Sequence, residues 1–253
     1  MNRLPKNRPE RYRKVDGKNV VVLAGDSITH GQIGENYVAM LSNQLDSKKF
    51  DIVNAGVNSF LAWNLLQRVD EIIDCNPDFV TIMIGTNDAN AATSEEEGRE
   101  YEKRMELPRL PDQEWYQESL SKLVTTLLDK TQAKIGLISI PPIGEDPEHS
   151  AFNISSEYVN SIKEVSSQTG VTYIPFHEMM VEYLEKHPGL PTYPIEKSIR
   201  EMTAACFKRY ILRRDWNSIG KSRGFQLHID YLHLNTKAAS MVIDLIEEFI
   251  KSS

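Results

Sequence analysis

Five short runs of apolar, largely β-branched residues recur along this chain: Asn19 to Ala24, Asp51 to Asn54, Phe79 to Ile84, Lys134 to Ile140 and Val171 to Pro175. The runs are mostly continuous instead of alternating, the pattern of strands covered by helices on both faces of a parallel sheet. Between and after them the spacing predicts helices over Asn36 to Leu45, Ala62 to Asp74, Pro111 to Thr131, Ser155 to Thr169, Glu178 to Lys186 and Thr236 to Lys251. In the last of these Ala238, Val242, Leu245 and Phe249 share one face, and Asn235 or Thr236 can cap its start. Strand-helix alternation with right-handed crossovers predicts a doubly wound α/β fold, a flavodoxin-like five-stranded parallel sheet flanked by helices.

Sheets of this kind bind ligands outside the carboxyl ends of their strands. Three polar motifs fall there: Gly25-Asp26-Ser27 after the first strand, Ala55-Gly56-Val57-Asn58 after the second and Gly85-Thr86-Asn87-Asp88 after the third. Asp230 and His233 lie just before the last helix, where the chain can return to the same edge. Together these motifs supply a hydroxyl, an imidazole and a carboxylate, the groups that acyl transfer needs. Ser27 would attack a carbonyl, His233 would take and return its proton, and Asp230 would hold the imidazole tautomer. The backbone N–H groups of Ser27 and Gly56 and the amide of Asn87 would receive the oxyanion. Asn87 suits that task where an aspartate would not, because only the amide donates.

In this order the four blocks resemble the SGNH branch of the GDSL hydrolases, a family of serine esterases and lipases, from Val20 to the C-terminus. The resemblance assigns Ser27, Gly56, Asn87, Asp230 and His233 to the family's G-D-S, glycine, G-x-N-D and D-x-x-H places. It implies a three-layer sandwich and a carboxylic ester hydrolase acting on lipids, acylated or acetylated sugars, or small esters, without metal or organic cofactor. Transfer of the acyl group to an alcohol would use the same intermediate.

Plainer readings compete at each position. A serine after a strand commonly caps a helix, Asp88 can cap a turn, and Gly56 can serve a positive φ. His228 is a rival base, but Leu227, Ile229 and Leu232 around it suggest a partly buried strand-like stretch, and D-x-x-H favours His233. His30 reads as a local pocket residue, and His149, His177 and His187 as surface or turn positions. Asp26 and His30 are further candidates for substrate contact. The elbow G-x-S-x-G fails because Thr29 replaces its second glycine, and P-loop, G-x-G-x-x-G, H-E-x-x-H and zinc spacings are absent. Two other classes stay open: a metal-dependent phosphoesterase built on Asp26, Asn54, Asn87, Asp88, Asp230 and a histidine, and a non-catalytic flavodoxin-like module binding phosphate or flavin at the Gly25 to Gly31 loop.

Composition narrows the classes further. A chain of 253 residues with no Ser/Gly/Pro-rich linker reads as one domain over residues 1–253. The net charge of −7 argues against a nucleic-acid partner. Residues 1–18 form a basic arm with no apolar segment of signal type, best read as a solvated tail. Val20 to Ala24 is too short to insert stably in a membrane. Cys75 and Cys206 make no disulfide framework, so a cytoplasmic location is expected. Residues 89–110 and 188–226 read as insertions that shape the site. The first is acidic, including Glu95-Glu96-Glu97, and reads as a solvated loop and helix; the second carries eight Lys/Arg against three Asp/Glu. Within the second, Glu196 to Arg214 places Ile199, Met202, Cys206 and Tyr210 at helical spacing, opposite a basic face. That face, with Arg213 and Arg214, is expected to bind an anionic substrate group or to dock on the acidic stretch of the same chain or of a second copy in a homo-oligomer; a plain solvated helix is the competing reading.

Overall fold

In a computed structural model, described for residues 4–195 and 198–252, five strands form one parallel sheet: β1 (Asn19–Gly25), β2 (Phe50–Gly56), β3 (Phe79–Met83), β4 (Lys134–Ile138) and β5 (Thr172–Ile174). Their order, β2-β1-β3-β4-β5, leaves β2 and β5 at the edges and puts the first strand inside. The register aligns Gly25 with Gly56 on one side and with Met83 on the other, so three of the motifs leave the sheet at the same level.

Helices cover both faces. One side packs α3 (Ala62–Leu66), α4 (Val69–Ile73), α7 (Gln113–Lys130) and α8 (Ser150–Thr169) on Val20, Val22, Val80 and Leu137. The other packs α2 (Tyr37–Gln44), α9 (Phe176–Lys186) and α12 (Thr236–Ser252) on Val21, Leu23, Phe79 and Ile138. Two apolar layers sandwiching continuously apolar strands are the arrangement that the hydrophobic pattern requires. The caps are those the sequence offers: Asn36 Oδ1 accepts from Ala39 N at 2.8 Å, Asp112 Oδ1 from Trp115 N at 2.8 Å, and Asn235, not Thr236, caps α12 by accepting from Lys237 N and Ala238 N.

Several elements differ from the sequence pattern. The helix predicted over Ala62 to Asp74 breaks at Arg68 (φ −113°, ψ 15°), whose guanidinium turns to Glu71 and to Glu10 of the N-terminal arm. The described part of that arm, from Leu4, is docked at its centre although most of its residues are exposed: Asn7 bonds Ile52 and Asn54 along the open edge of β2, and Pro9 is buried. α8 begins five residues earlier than expected, at Ser150. The short helices α1 (Ser27–His30), α5 (Thr86–Ala91) and α11 (Trp216–Lys221) carry too few apolar positions to show a period. In the acidic stretch α6 (Glu95–Arg104) buries only Gly98 and Tyr101. α10 (Ser198–Tyr210) covers most of the predicted basic helix; Glu196, where that prediction starts, and the side chain of Ile199 lie outside the described part of the structure. Among the described residues no helix is long and apolar enough to cross a membrane.

Candidate active site

The first motif is shaped by close packing. A Cβ on Gly25 would come within 2.4 Å of the Met83 carbonyl oxygen and 2.3 Å of Thr29 Oγ1, so only glycine lets β1 pass into α1 against the end of β3. Asp26 caps α1 by accepting from Ile28 N at 2.9 Å, and Ser27 is its first residue.

On the other side of the site, a carboxylate and an imidazole are fixed within one turn. Asp230 Oδ1 accepts from the backbone N–H groups of Leu232 and His233, both at 2.8 Å, and its Oδ2 lies 2.9 Å from His233 Nδ1. An ionised carboxylate can only accept, so Nδ1 carries the proton and Nε2 of the neutral ring presents its lone pair. That Nε2 lies 3.0 Å from Ser27 Oγ, across 206 residues of sequence. Both Asp230 and His233 are buried, and burial opposes charge on each. The imidazole's charge and bonds override it for Asp230, which is held below the usual carboxylate range; Asp230 in turn holds His233 above its ordinary value.

A second buried carboxylate anchors the same loop. Glu145, in the segment after β4, accepts from Gln226 N at 2.7 Å on one oxygen, and from Leu227 N, His228 N and His228 Nδ1 at 2.7, 2.8 and 3.0 Å on the other. His228, the rival base, is thereby wholly buried beside Glu145 and does not face Ser27. Nothing near Glu145 in sequence marks it, because its partners lie some 80 residues away.

Asn87 is oriented from two directions. Its amide nitrogen donates one N–H to Phe60 O at 2.9 Å, and its Oδ1 accepts from Tyr101 Oη at 2.8 Å, which leaves the second amide N–H for the pocket. Tyr101 comes from α6, and Arg104 lies over its ring at 4.4 Å. The acidic stretch thus supplies a buried wall residue that its charged composition concealed.

Ser27, Asn87 and His233 open into one cavity of about 620 Å³, with Asn58, Ser59, Asn90, Arg104 and His149 among its polar walls and Ile195, Met202 and Leu232 among its apolar ones. Gly56 is not in that wall. Its N–H donates to Asn54 Oδ1 at 2.9 Å, and a Cβ there would meet His30 N at 2.2 Å, so the glycine serves packing of β2 on α1 and does not point a donor at the site. Ser59 stands at the wall instead, with its backbone in the left-handed region at φ 64°. A positive φ at a serine leaves no mark in the sequence.

The tentative substrate contacts also fall elsewhere. Asp26 is buried as a helix cap, pushed up to about 6 by that burial. His30 borders a different cavity, beside α2 and the edge of β2. Arg213 and Arg214 are exposed after the end of α10 and do not line the pocket. Of the histidines read as surface positions, His177 is instead buried, with Nδ1 3.0 Å from Ile140 O, while His187 is exposed and stacks on Tyr183. His149 caps α8 and borders the pocket. The groups needed by a metal-dependent phosphoesterase are committed separately: Asn54 to Thr29 O and Gly56 N, Asp88 to Ala62 N, and Asp230 to His233. Among the described residues no three His, Cys, Asp or Glu side chains gather as a metal site would need.

Comparison with known proteins points the same way. The profile of the GDSL-like lipase/acylhydrolase family matches residues 23–194. An acetylxylan esterase from Geobacillus stearothermophilus, a catalytic mutant, superposes with a TM-score of 0.64 at 17% identity, over 94% of this chain and 96% of that one. The acetyl xylan esterase AlAXEase gives 0.64 at 19% identity over 90% and 98%, and a lipase/acylhydrolase from Enterococcus faecalis 0.61 at 20% over 92% and 96%. At these identities the likeness is one of fold. No curated protein matches the sequence.

One buried group gives a stability prediction. Asp88 accepts from Ala62 N, at 3.3 and 3.2 Å to its two oxygens, and burial pushes it up to about 8 from 3.8. A folded value above the unfolded one means that the group's contribution is complete below about pH 3.8 and is lost as pH rises through about 8. In thermal melts from about pH 5 to about pH 9, Asp88→Asn is expected to lose less stability than wild type. Parallel pH dependences would show that Asp88 is already ionised in the fold.

Proposed function

The chain belongs to the GDSL-like lipase/acylhydrolase family and is a carboxylic ester hydrolase, and we propose that it works through an acyl-enzyme on Ser27, with His233 as base and Asp230 holding the imidazole. The observation that carries this reading is the hydrogen-bonded line from Asp230 Oδ2 through both ring nitrogens of His233 to Ser27 Oγ, at 2.9 and 3.0 Å. A serine hydroxyl becomes an effective nucleophile only when a neighbouring base removes its proton, and this line supplies the base in the right tautomer. Attack on the ester carbonyl makes a tetrahedral oxyanion. His233 then gives the proton to the leaving alcohol, and a water deprotonated by the same ring releases the acid.

For the oxyanion we assign the second amide N–H of Asn87 and the backbone N–H groups of Ser27 and Ser59, with Ser59 taking the place expected of Gly56. Tyr101 acts through Asn87 as a positioning residue. If its hydroxyl did not donate to Oδ1, the amide would be free to turn its oxygen toward the developing negative charge, which would repel it. Two of the similar structures named above are acetylxylan esterases, which makes acetylated carbohydrate the first class to assay, beside lipid and small esters.

Incubation with a fluorophosphonate probe, with and without EDTA, tests the nucleophile directly. Labelling is expected at Ser27 by peptide mass spectrometry, unchanged by EDTA and abolished in Ser27→Ala; a folded protein that takes no label would refute the serine mechanism. For the base, the sign follows from Asp230: with His233 held above its ordinary 6.5, the acid limb of kcat/KM should have its midpoint above that value. Asp230→Asn should shift the limb downward and cut kcat by about 10⁴-fold. A limb that stays in place in the variant would remove Asp230 from the role. For Tyr101→Phe, steady-state kinetics should show kcat reduced by about 10- to 100-fold with KM nearly unchanged, since an oxyanion donor acts in the transition state. An unaltered kcat would mean that the bond to Phe60 O alone holds Asn87.

A further inference from the structure

The end of α10 and the residues after it expose a contiguous apolar group. Phe207 and Tyr210 are each 56% exposed, Ile211 64% and Leu212 53%. Lys208, Arg209, Arg213 and Arg214 are interleaved with them in the run Phe207 to Arg214. Arg209 lies over the Trp216 ring at 5.7 Å, but among the described residues Lys208, Arg213 and Arg214 form no ion pair. The next residue, Asp215, caps α11 by accepting from Ser218 N and Oγ. In a chain of net charge −7 this is a local concentration of uncompensated cations.

The surface continues beyond the helix. Tyr210 and Ile211 form one wall of a second cavity, of about 1330 Å³, whose other walls include Leu4, Val38 and Phe50, with Lys6 also at its border. Tyr210 Oη donates to Gln32 O, which ties the end of α10 to the loop after α1. Large apolar side chains interspersed with Lys and Arg, over the last turn of α10 and the four residues after it, are the composition of a segment that lies on an anionic lipid surface. The acidic α6 of a second copy would match the charge, but its one aromatic residue, Tyr101, is buried and it has no exposed apolar side chain to cover Ile211 and Leu212.

We propose that the Phe207 to Arg214 segment docks the enzyme on an anionic lipid surface, without spanning it. The cations face the headgroups, and Phe207, Ile211 and Leu212 enter between them, while Tyr210 stays bonded to Gln32 at the base of the segment. Met202, two turns earlier on α10, lines the cavity that holds Ser27, so docking sets the pocket about 12 Å of helix away from the surface.

Co-sedimentation of the 253-residue chain with phosphatidylcholine vesicles, with and without phosphatidylglycerol, tests this at low and at high salt. Binding is expected only to the vesicles containing phosphatidylglycerol, and it should weaken at high salt. Lys208→Gln combined with Arg213→Gln should weaken it by on the order of thirtyfold, taking each cation near the surface as worth about a factor of five. Ile211→Ser combined with Leu212→Ser should also release the protein, with hydrolysis of a soluble ester and the circular dichroism spectrum as in wild type. Failure to bind anionic vesicles at low salt would overturn the proposal, as would binding unchanged in both double variants. So would a dimer in light scattering that Ile211→Ser with Leu212→Ser abolishes, since the face would then belong to a second copy.

Discussion

A carboxylate taken out of water must be repaid in hydrogen bonds, and the carboxyl edge of this sheet is organised around how four buried acids meet that demand. Asp230 gathers two backbone N–H groups and an imidazole, and Glu145 three backbone N–H groups and a second imidazole. Both are held below the usual carboxylate range. For Asp26 and Asp88 burial outweighs the donors, Ile28 N and Ala62 N among them, and pushes the two up to about 6 and about 8. Negative charge is therefore held most firmly on Asp230 and Glu145, against the loop from Gln226 to His233, while Asp88 keeps its proton up to about pH 8.

That division suits the chemistry. The ionised Asp230 beside His233 fixes the tautomer and favours the imidazolium that forms during attack. Glu145 takes no part near Ser27. Its effect is to tie the segment after β4 to the backbone on the N-terminal side of Asp230, so that the loop carrying the base is clamped at both ends: there by Glu145, and on the other side by the Asn235 cap of α12.

Two segments that look like surface decoration in the sequence contribute to the site from opposite sides. α6 delivers Tyr101 to Asn87, and α10 delivers Met202 to the pocket while presenting Phe207 to Leu212 outward. α6 buries little of itself and shows no hydrophobic period, whereas the period of α10, through Met202, Cys206 and Tyr210, marks a helix without saying which of its side chains reaches the pocket. Their contributions come from single side chains reaching inward from otherwise polar helices.

The sequence alone determined the strands, their parallel winding and the edge on which the polar motifs emerge, because continuous apolar runs and short turn motifs are local signals that one segment carries by itself. It also brought Ser27, Asp230 and His233 together as candidates, since D-x-x-H places carboxylate and imidazole within one turn and the G-D-S block marks the end of β1. Tertiary structure decided which donors face the pocket. Gly56 spends its N–H on Asn54 and its missing side chain on contact with His30, whereas Ser59 reaches the wall through a left-handed φ. Only contacts distant in sequence orient the Asn87 amide, through Tyr101 and Phe60, and remove His228 from the site, through Glu145. The physical reason is the same in each case. The direction of an N–H or an amide depends on backbone angles and on partners that approach from other elements, and neither is written in the residues next to it.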